Sequence, residues 1–462
     1  MKARRILWLT LFYAGFGRAQ DDLNSLLASL DAIRAQQNVA AYAVVITTPS
    51  QVMIAENRGS LTSENRSPVS DDAYFRVGSI TKSFIGLAAL IAEQEGLLQL
   101  MDPAQTYIGN SLYQNPWQQS HPVTVAQLLQ HSAGLPDMSS REEFNHNQPI
   151  TNRQGLTLFA KQRHTLWPPG QYYSYSNTGF GLAGHVIEMA SKQSINDFLR
   201  DKIFQPLRMQ SATLEYTQAV QAKLVPGFDS DGTTRLPYWH MIFPAFGALN
   251  IQPRDMANFI QLYLNRGKFN NDDIISENLF AQIEKPSTTL AAQQGLAYGY
   301  GLGIYNWYRR GHEFFGHGGD GDGYLARFGY SHAAQLGYFV VINRYQHQPL
   351  RDMQVAIEDW IVRDLPAVEF PPAMSMANPG LITGEYRQIT SRFGRRGNSV
   401  LTIINDDGQL YTEENSRERY LLIPVTDTTF RRRNEPTATI AIVETADGLV
   451  YVGDDGNFLK KQ

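Results

Sequence analysis

The sequence predicts an α/β (α+β) chain: an antiparallel sheet flanked by helices and broken by a helical insertion, then a small all-β domain. Three observations predict it. An early hairpin and helix are separated by mostly helical sequence from four late strands, Gly301 to Tyr308, Glu313 to His317, Tyr324 to Tyr330 and Gln335 to Asn343. Strands at both ends of a region with helices between imply one sheet built from two distant segments, and the short turns make the late strands antiparallel. Beyond the proline-bearing stretch 369–380, with Pro371, Pro372 and Pro379, no helical period survives and short strands flank Asp-Gly turns.

The elements follow in order. Leu23, Leu26, Leu27, Leu30 and Ile33 trace a helix. Ala41 to Thr47 and Val52 to Asn57 are strands around a Pro49-Ser50 turn. Phe84, Leu87, Ala88 and Ile91 form the apolar face of a helix that starts at Ser79, its expected N-cap, and stops at Gly96. Thr124 to Gln130 is a short helix ending in His131-Ser132-Ala133-Gly134-Leu135-Pro136. Tyr172 to Gly179 opens a helix from Phe180 to Ser191, Pro244 to Gly247 is a turn, and Pro253 begins a helix through Leu264. Met353, Ala356, Ile357, Trp360 and Ile361 give an amphipathic helix ending near Leu365. In the tail, Thr402 to Ile404, Gln409 to Thr412, Tyr420 to Val425, Thr437 to Glu444 and Leu449 to Val452 are strands. No repeat of solenoid length occurs.

Composition bounds the class. A chain of 462 residues holds about two or three domains. A net charge of -4 argues against a nucleic-acid partner, which would bring a basic stripe. There is no cysteine, so no disulfide supports the fold. Met1-Lys2-Ala3-Arg4-Arg5, a short apolar run from Ile6 to Phe16 and the small residues of Gly17-Arg18-Ala19 read as a signal peptide over 1–19, with Gln20 as the mature start. The run is too short to span a bilayer, which takes about 20 apolar residues. Export to the periplasm or the medium of a bacterium is the expectation. The remaining boundaries are a main domain at 20–368 with its helical insertion at roughly 97–245, a linker at 369–380 and a β-rich domain at 381–462.

The chemistry centres on Ser79 and Lys82, the one S-x-x-K in the chain. Three apart on a helix, the two side chains share a face of the first turn. A serine hydroxyl is a poor nucleophile until a neighbour takes its proton, and a lysine does so only when its pKa falls from about 10.4. Desolvation and the positive end of a helix dipole both act in that direction. No metal is expected, because the histidines show no pair at ligand spacing.

Ser79-Ile80-Thr81-Lys82, Tyr175-Ser176-Asn177 and His317-Gly318-Gly319, in this order, resemble the motifs of the serine β-lactamase and penicillin-recognising family. The nearest branch is that of class C β-lactamases, D-alanyl-D-alanine carboxypeptidases and esterases. The resemblance covers roughly 25–365, and His131 to Pro136 looks like a loop signature of the same branch. Y-x-N also occurs at Tyr113-Gln114-Asn115 and Tyr263-Leu264-Asn265; Tyr175 is preferred because it follows a Pro-Pro-Gly turn and opens a helix.

The resemblance implies a β-lactamase/transpeptidase-like fold and a small acyl substrate or cell-wall peptide, without a cofactor. Ser79 would attack the acyl carbonyl, and Lys82 and Tyr175 would share the general-base work. Asn177 would bind substrate or orient Lys82. The backbone N–H groups of Ser79 and Asp320 would form the oxyanion hole. β-Lactamases of this branch carry Lys-Thr-Gly where this chain has His317-Gly318-Gly319. Gly318 has no hydroxyl and histidine is only partly charged at neutral pH, so carboxylate recognition is expected to weaken. That shifts the reading toward an esterase, amidase or aminopeptidase, with a D,D-carboxypeptidase, D-aminopeptidase or β-lactamase as alternative.

Asp320-Gly321-Asp322-Gly323 reads as a tight turn; a sharper reading has one aspartate select a substrate amine. The tail, from Leu381-Ile382-Thr383-Gly384-Glu385-Tyr386, looks like the lipocalin-like barrel some members of the branch carry. Its Arg431-Arg432-Arg433 run reads as a solvated strand end. An α/β-hydrolase is disfavoured, since no G-x-S-x-G elbow occurs. The rival outside the enzymes is a penicillin- or peptidoglycan-binding sensor that acylates without turnover. The oligomeric state is left open.

Overall fold

The computed structural model describes residues 22–62, 67–138, 144–390, 399–414, 418–453 and 456–461. The expected signal peptide lies outside the described residues.

The core is one six-stranded antiparallel sheet. Its strands are β1 (Ala41–Thr47), β2 (Val52–Gly59), β3 (Tyr305–Arg309), β4 (His312–Gly321), β5 (Tyr324–Ser331) and β6 (Leu336–Ile342). The order is β2-β1-β6-β5-β4-β3, so the early hairpin pairs directly with the last late strand, Val44 opposite Val340. β1 is buried along its whole length, and its alternation decides which layer each residue joins. Tyr42, Val44 and Ile46 pack with α1 (22–36) and α5 (His347–Val362). Ala41, Ala43 and Val45 face α2 (Thr81–Gln94), α3 (Asn177–Ser191) and α4 (Met256–Leu264) on the other side.

Several elements differ from the sequence reading. Ser79 caps nothing: it sits inside a 3-10 turn, Gly78–Ile80, that runs straight into α2. Thr81 supplies the local bond instead, its hydroxyl donating to Gly78 O at 2.7 Å. α3 begins at Asn177 rather than Phe180, because Ser176 serves as N-cap and accepts from Gly179 N at 3.3 Å. Pro244–Gly247 is a single helical turn. β3 starts at Tyr305, since Gly301 N bonds Ile304 O and Gly303 turns the chain at φ +84.

The tail is a closed, all-antiparallel eight-stranded barrel. Its strands are β7 (Gly384–Gln388), β8 (Val400–Asp406), β9 (Gln409–Glu414), β10 (Arg419–Pro424), β11 (Thr429–Arg431), β12 (Ile440–Thr445), β13 (Gly448–Gly453) and β14 (Gly456–Lys460). Closure pairs β7 with β14, Tyr386 opposite Lys460. The periodicity of the sequence missed β7, β11 and β14, which are short and half polar. Ile440 and Ile442 point into the barrel, while Ala441 and Val443 point outward onto Trp167 and Tyr172 of the main domain. The arginine run is not a solvated strand end. Arg431 is 4% exposed and donates to the carbonyls of Pro371 and Glu435, and Arg432 stacks on Tyr420 at 5.0 Å.

Candidate active site

The turn that carries Ser79 is pressed against the end of β4. A Cβ on Gly319 would lie 1.8 Å from Val77 O, and one on Gly78 would lie 2.4 Å from Asp320 O. Both glycines are therefore required by close backbone approach. β4 pairs with β3 only from His312 to Gly316. From His317 to Gly321 its outer edge has no strand partner among the described residues, and this open edge faces the Ser79 turn.

Three side chains converge there. Lys82 Nζ donates to Ser79 Oγ at 2.9 Å, and the Tyr175 hydroxyl donates to the same oxygen at 3.1 Å. Lys82 is fully buried. Its ammonium also donates to Phe246 O at 2.9 Å and lies 5.1–5.6 Å from the ring centroids of Tyr175, Phe246 and Phe180. The two competing Y-x-N tyrosines are elsewhere: Tyr113 is buried in the helical region, and Tyr263 lies within α4 with its hydroxyl on Ser83 O.

The loop signature holds Tyr175 in place. His131 adopts φ +55, and its ring lies 4.1 Å from that of Tyr175. Its Nδ1 accepts from Ser176 N at 3.0 Å and its carbonyl accepts from Ser174 N at 2.8 Å. Asn177 is buried at the start of α3, with its Nδ2 3.0 and 3.2 Å from the two carboxylate oxygens of Asp137 and its backbone N at 2.8 Å. Its Oδ1 is left without a hydrogen-bond partner among the described residues.

His317 faces the helical side of the sheet. Its Nε2 lies 2.7 Å from the Tyr300 hydroxyl, and its Nδ1 meets Gly318 O. A carbonyl can only accept, so Nδ1 carries a proton, and Tyr300 donates to Nε2 whenever the ring is neutral. Burial holds the Tyr300 phenol well above its usual pKa, with the neighbouring phenols of Tyr175, Tyr173 and Tyr305 adding to it, so Tyr300 stays a neutral donor.

Ser79, Tyr175, Asn177, His317, Gly318 and Asp320 all line one open cavity of about 860 Å³. Asp320 and Asp322 both line it, and Gly321 pairs with Tyr324 across a two-residue Asp322-Gly323 turn. The tight turn and a cleft-facing aspartate therefore coexist.

Sequence reasoning missed four contributors. Asp137 directly follows the His131 to Pro136 signature, a usable signal. Phe246 acts through its carbonyl, and Tyr300 gave no pattern. Arg327 is found only through register: it pairs with Gly318 across β4 and β5, and a Cβ on Gly318 would lie 3.3 Å from its guanidinium carbon. The space that a threonine would fill at Gly318 thus holds a guanidinium. Its Nη1 donates to the Tyr305 hydroxyl, and its Nε has no partner among the described residues.

A sheet with two helical layers and a serine, lysine and tyrosine on one oxygen define a penicillin-recognising type of fold. The chain belongs to the Beta-lactamase family, whose model matches residues 26–358. It is 24% identical over 252 residues to a β-lactamase of Yersinia enterocolitica, a match spanning 52% of this chain and 58% of that protein. A match to protein flp of Staphylococcus aureus, at 24% identity, covers 49% of this chain and 46% of that one. The chain thus spans about half the length of the curated relatives it matches.

Among solved structures, an octameric penicillin-binding protein homologue from Pyrococcus abyssi superposes with a TM-score of 0.62 at 21% identity, over 95% of this chain and all of that one. SurE gives 0.63 at 21% over 96% of this chain and all of its own. A β-lactamase/D-alanine carboxypeptidase from Yersinia pestis gives 0.60 at 21% over 72% of this chain and 95% of its own. The first two likenesses extend over the barrel as well as the main domain.

Proposed function

We propose that this protein is a serine hydrolase that cleaves an ester or amide through an acyl-enzyme on Ser79. The observation that carries the reading is the convergence of Lys82 Nζ and Tyr175 OH on Ser79 Oγ at the floor of an open cavity. In the acylating step, Ser79 Oγ forms a bond to the substrate carbonyl carbon and its proton passes to the Lys82–Tyr175 pair. The pair returns that proton to the leaving alcohol or amine as the scissile bond breaks. Water then repeats the sequence on the acyl-enzyme, with Ser79 as leaving group. The N–H groups of Ser79 and Asp320 hold the developing oxyanion; losing one such donor costs about 10²–10³ in rate. Asn177 Oδ1, held inward by Asp137, is the acceptor on offer to a substrate N–H or to Lys82.

A second reading rests on Arg327. A fixed guanidinium beside Gly318 restores the positive charge that the loss of Lys-Thr removed. It favours substrates with a carboxylate beside the scissile bond, as in a D,D-carboxypeptidase or a β-lactamase. Export as an N-terminally processed protein completes the proposal. Among the described residues no helix is long and apolar enough to cross a membrane.

The test is mass spectrometry of the intact protein after exposure to a fluorophosphonate and, separately, to a penicillin, with penicillin consumption followed in parallel. The parent should gain fluorophosphonate mass and Ser79→Ala should not. Labelling that survives Ser79→Ala overturns the assignment of the nucleophile. Penicillin trapped as a stable adduct without turnover of any ester would move the protein to the sensor class.

A further inference from the structure

Tyr175 sits on a segment, 171–175, that forms no helix or strand and is tied from two sides. On one side the main domain holds it: Gly170 N bonds Ser132 O, and Ser174 N bonds His131 O, each at 2.8 Å. On the other side stands the barrel. Asn457, at the start of β14, is 1% exposed, and its Nδ2 donates to Tyr173 O at 2.8 Å. Thr390 fixes that amide, its Oγ1 accepting from Asn457 Nδ2 at 3.1 Å and from Asn457 N at 3.2 Å. Ala441, Val443 and Val450 from the barrel pack with Trp167 and Tyr172 in one buried apolar cluster. The ring of Tyr173 lines the reaction cavity and lies 6.0 Å from those of His131 and Tyr300. The barrel thus adds a hydrogen bond to Tyr173 O beside those the main domain makes along the segment.

We propose that the barrel is a working support of the active site, behind the segment that carries Tyr175, and that Asn457 is a positioning residue, acting through Tyr173 O to set the Tyr175 hydroxyl on Ser79 Oγ. The inference rests on Tyr175 sharing the general-base role. A general base works only within hydrogen-bond reach of the proton it moves, and misplacement by about 1 Å can cost about 10² in rate. Tyr175 is two residues from the barrel contact, so rotation of the 171–175 segment would move its hydroxyl while leaving Ser79 and Lys82 in place.

The test uses the full chain. Asn457→Asp keeps the size of the side chain but sets a carboxylate oxygen against the Tyr173 carbonyl. The fluorophosphonate labelling rate and kcat for a small ester should fall about tenfold or more. KM should stay within about twofold, and the pH profile of kcat should shift because the coupled pair is disturbed. Thr390→Val, which frees the Asn457 amide to rotate, should give a smaller loss of the same kind. Thermal midpoints report whether each variant is folded.

The proposal is overturned if folded Asn457→Asp labels at the parental rate, or if its loss of rate leaves the pH profile unmoved. Should Asn457→Asp not fold, a parental rate and profile in Thr390→Val overturns it. If Ser79→Ala also labels and turns over ester, the hydrolase mechanism itself has failed; parental activity that needs Ser79 but ignores Asn457 defeats this inference alone.

Discussion

At the scale of single residues, the site is organised around charges that water does not reach. Lys82 is enclosed by the rings of Tyr175, Phe180 and Phe246, and its amine donates to Ser79 Oγ and to Phe246 O. Asp137 places Asn177 with three hydrogen bonds, so the amide at the start of α3 has a defined orientation. Arg327 gives the site a polarity that the motif alone lacks. Arg327→Gln should lower kcat/KM for an ester bearing a carboxylate about 10- to 150-fold relative to its neutral isostere, the equivalent of about 1.5–3 kcal/mol for a charged hydrogen bond. An unchanged ratio would remove the carboxylate reading. In the same assay, Asp320→Ala and Asp322→Ala should leave that ratio alone; if instead they depress only amino-bearing esters, these aspartates select an amine.

At the scale of elements, the open edge of β4 matters most. β3 ends its pairing at Gly316, and five further residues of β4 are left to meet the Ser79 turn and a substrate backbone. Behind it, Glu358 on α5 holds the sheet, accepting from Trp307 Nε1 at 2.9 Å, Tyr338 OH at 2.6 Å and Gln354 Nε2 at 2.8 Å. Burial nevertheless raises its pKa, and these three donors, with the charge of Arg327, offset only part of the rise. The folded state therefore binds the proton at a pH where the unfolded chain has released it. Stability from this group is full below the unfolded value and declines as pH rises toward and past the folded one. Glu358→Gln should gain on the parent in urea midpoint as pH is raised from about 4 to about 7. A difference in midpoint that does not vary with pH would contradict this.

At the scale of the molecule, the barrel and the main domain share the buried cluster of Trp167, Tyr172, Ala441, Val443 and Val450. Shared burial couples the two in unfolding, so calorimetry should show one transition. Val443→Asp, which buries a charge there without a partner, should split it in two or lower its midpoint by several degrees, for a cost of about 3 kcal/mol or more. Two transitions in the parent would mean that the cluster does not couple the domains, and would weaken the positional role of Asn457 with it.

The sequence by itself determined the fold class, the family motifs and the pairing of Ser79 with Lys82. Each depends on local periodicity: alternation in the strands, a period of 3.6 in the helices, and a spacing of three positions from serine to lysine. It misjudged Ser79 as a cap for a related reason. A serine before an apolar helix looks the same whether its hydroxyl satisfies a backbone N–H or faces a lysine, and only the partners brought by folding tell them apart. The structure set the hydroxyl of Tyr175, the copy the sequence preferred, on Ser79 Oγ, and it alone brought Phe246 O to Lys82 across 164 residues and set Arg327 beside Gly318. It also placed Asn457 on Tyr173 across 284 residues. Those contacts depend on sheet register, on the packing of two layers and on the docking of a barrel, and none of these leaves a period in the chain.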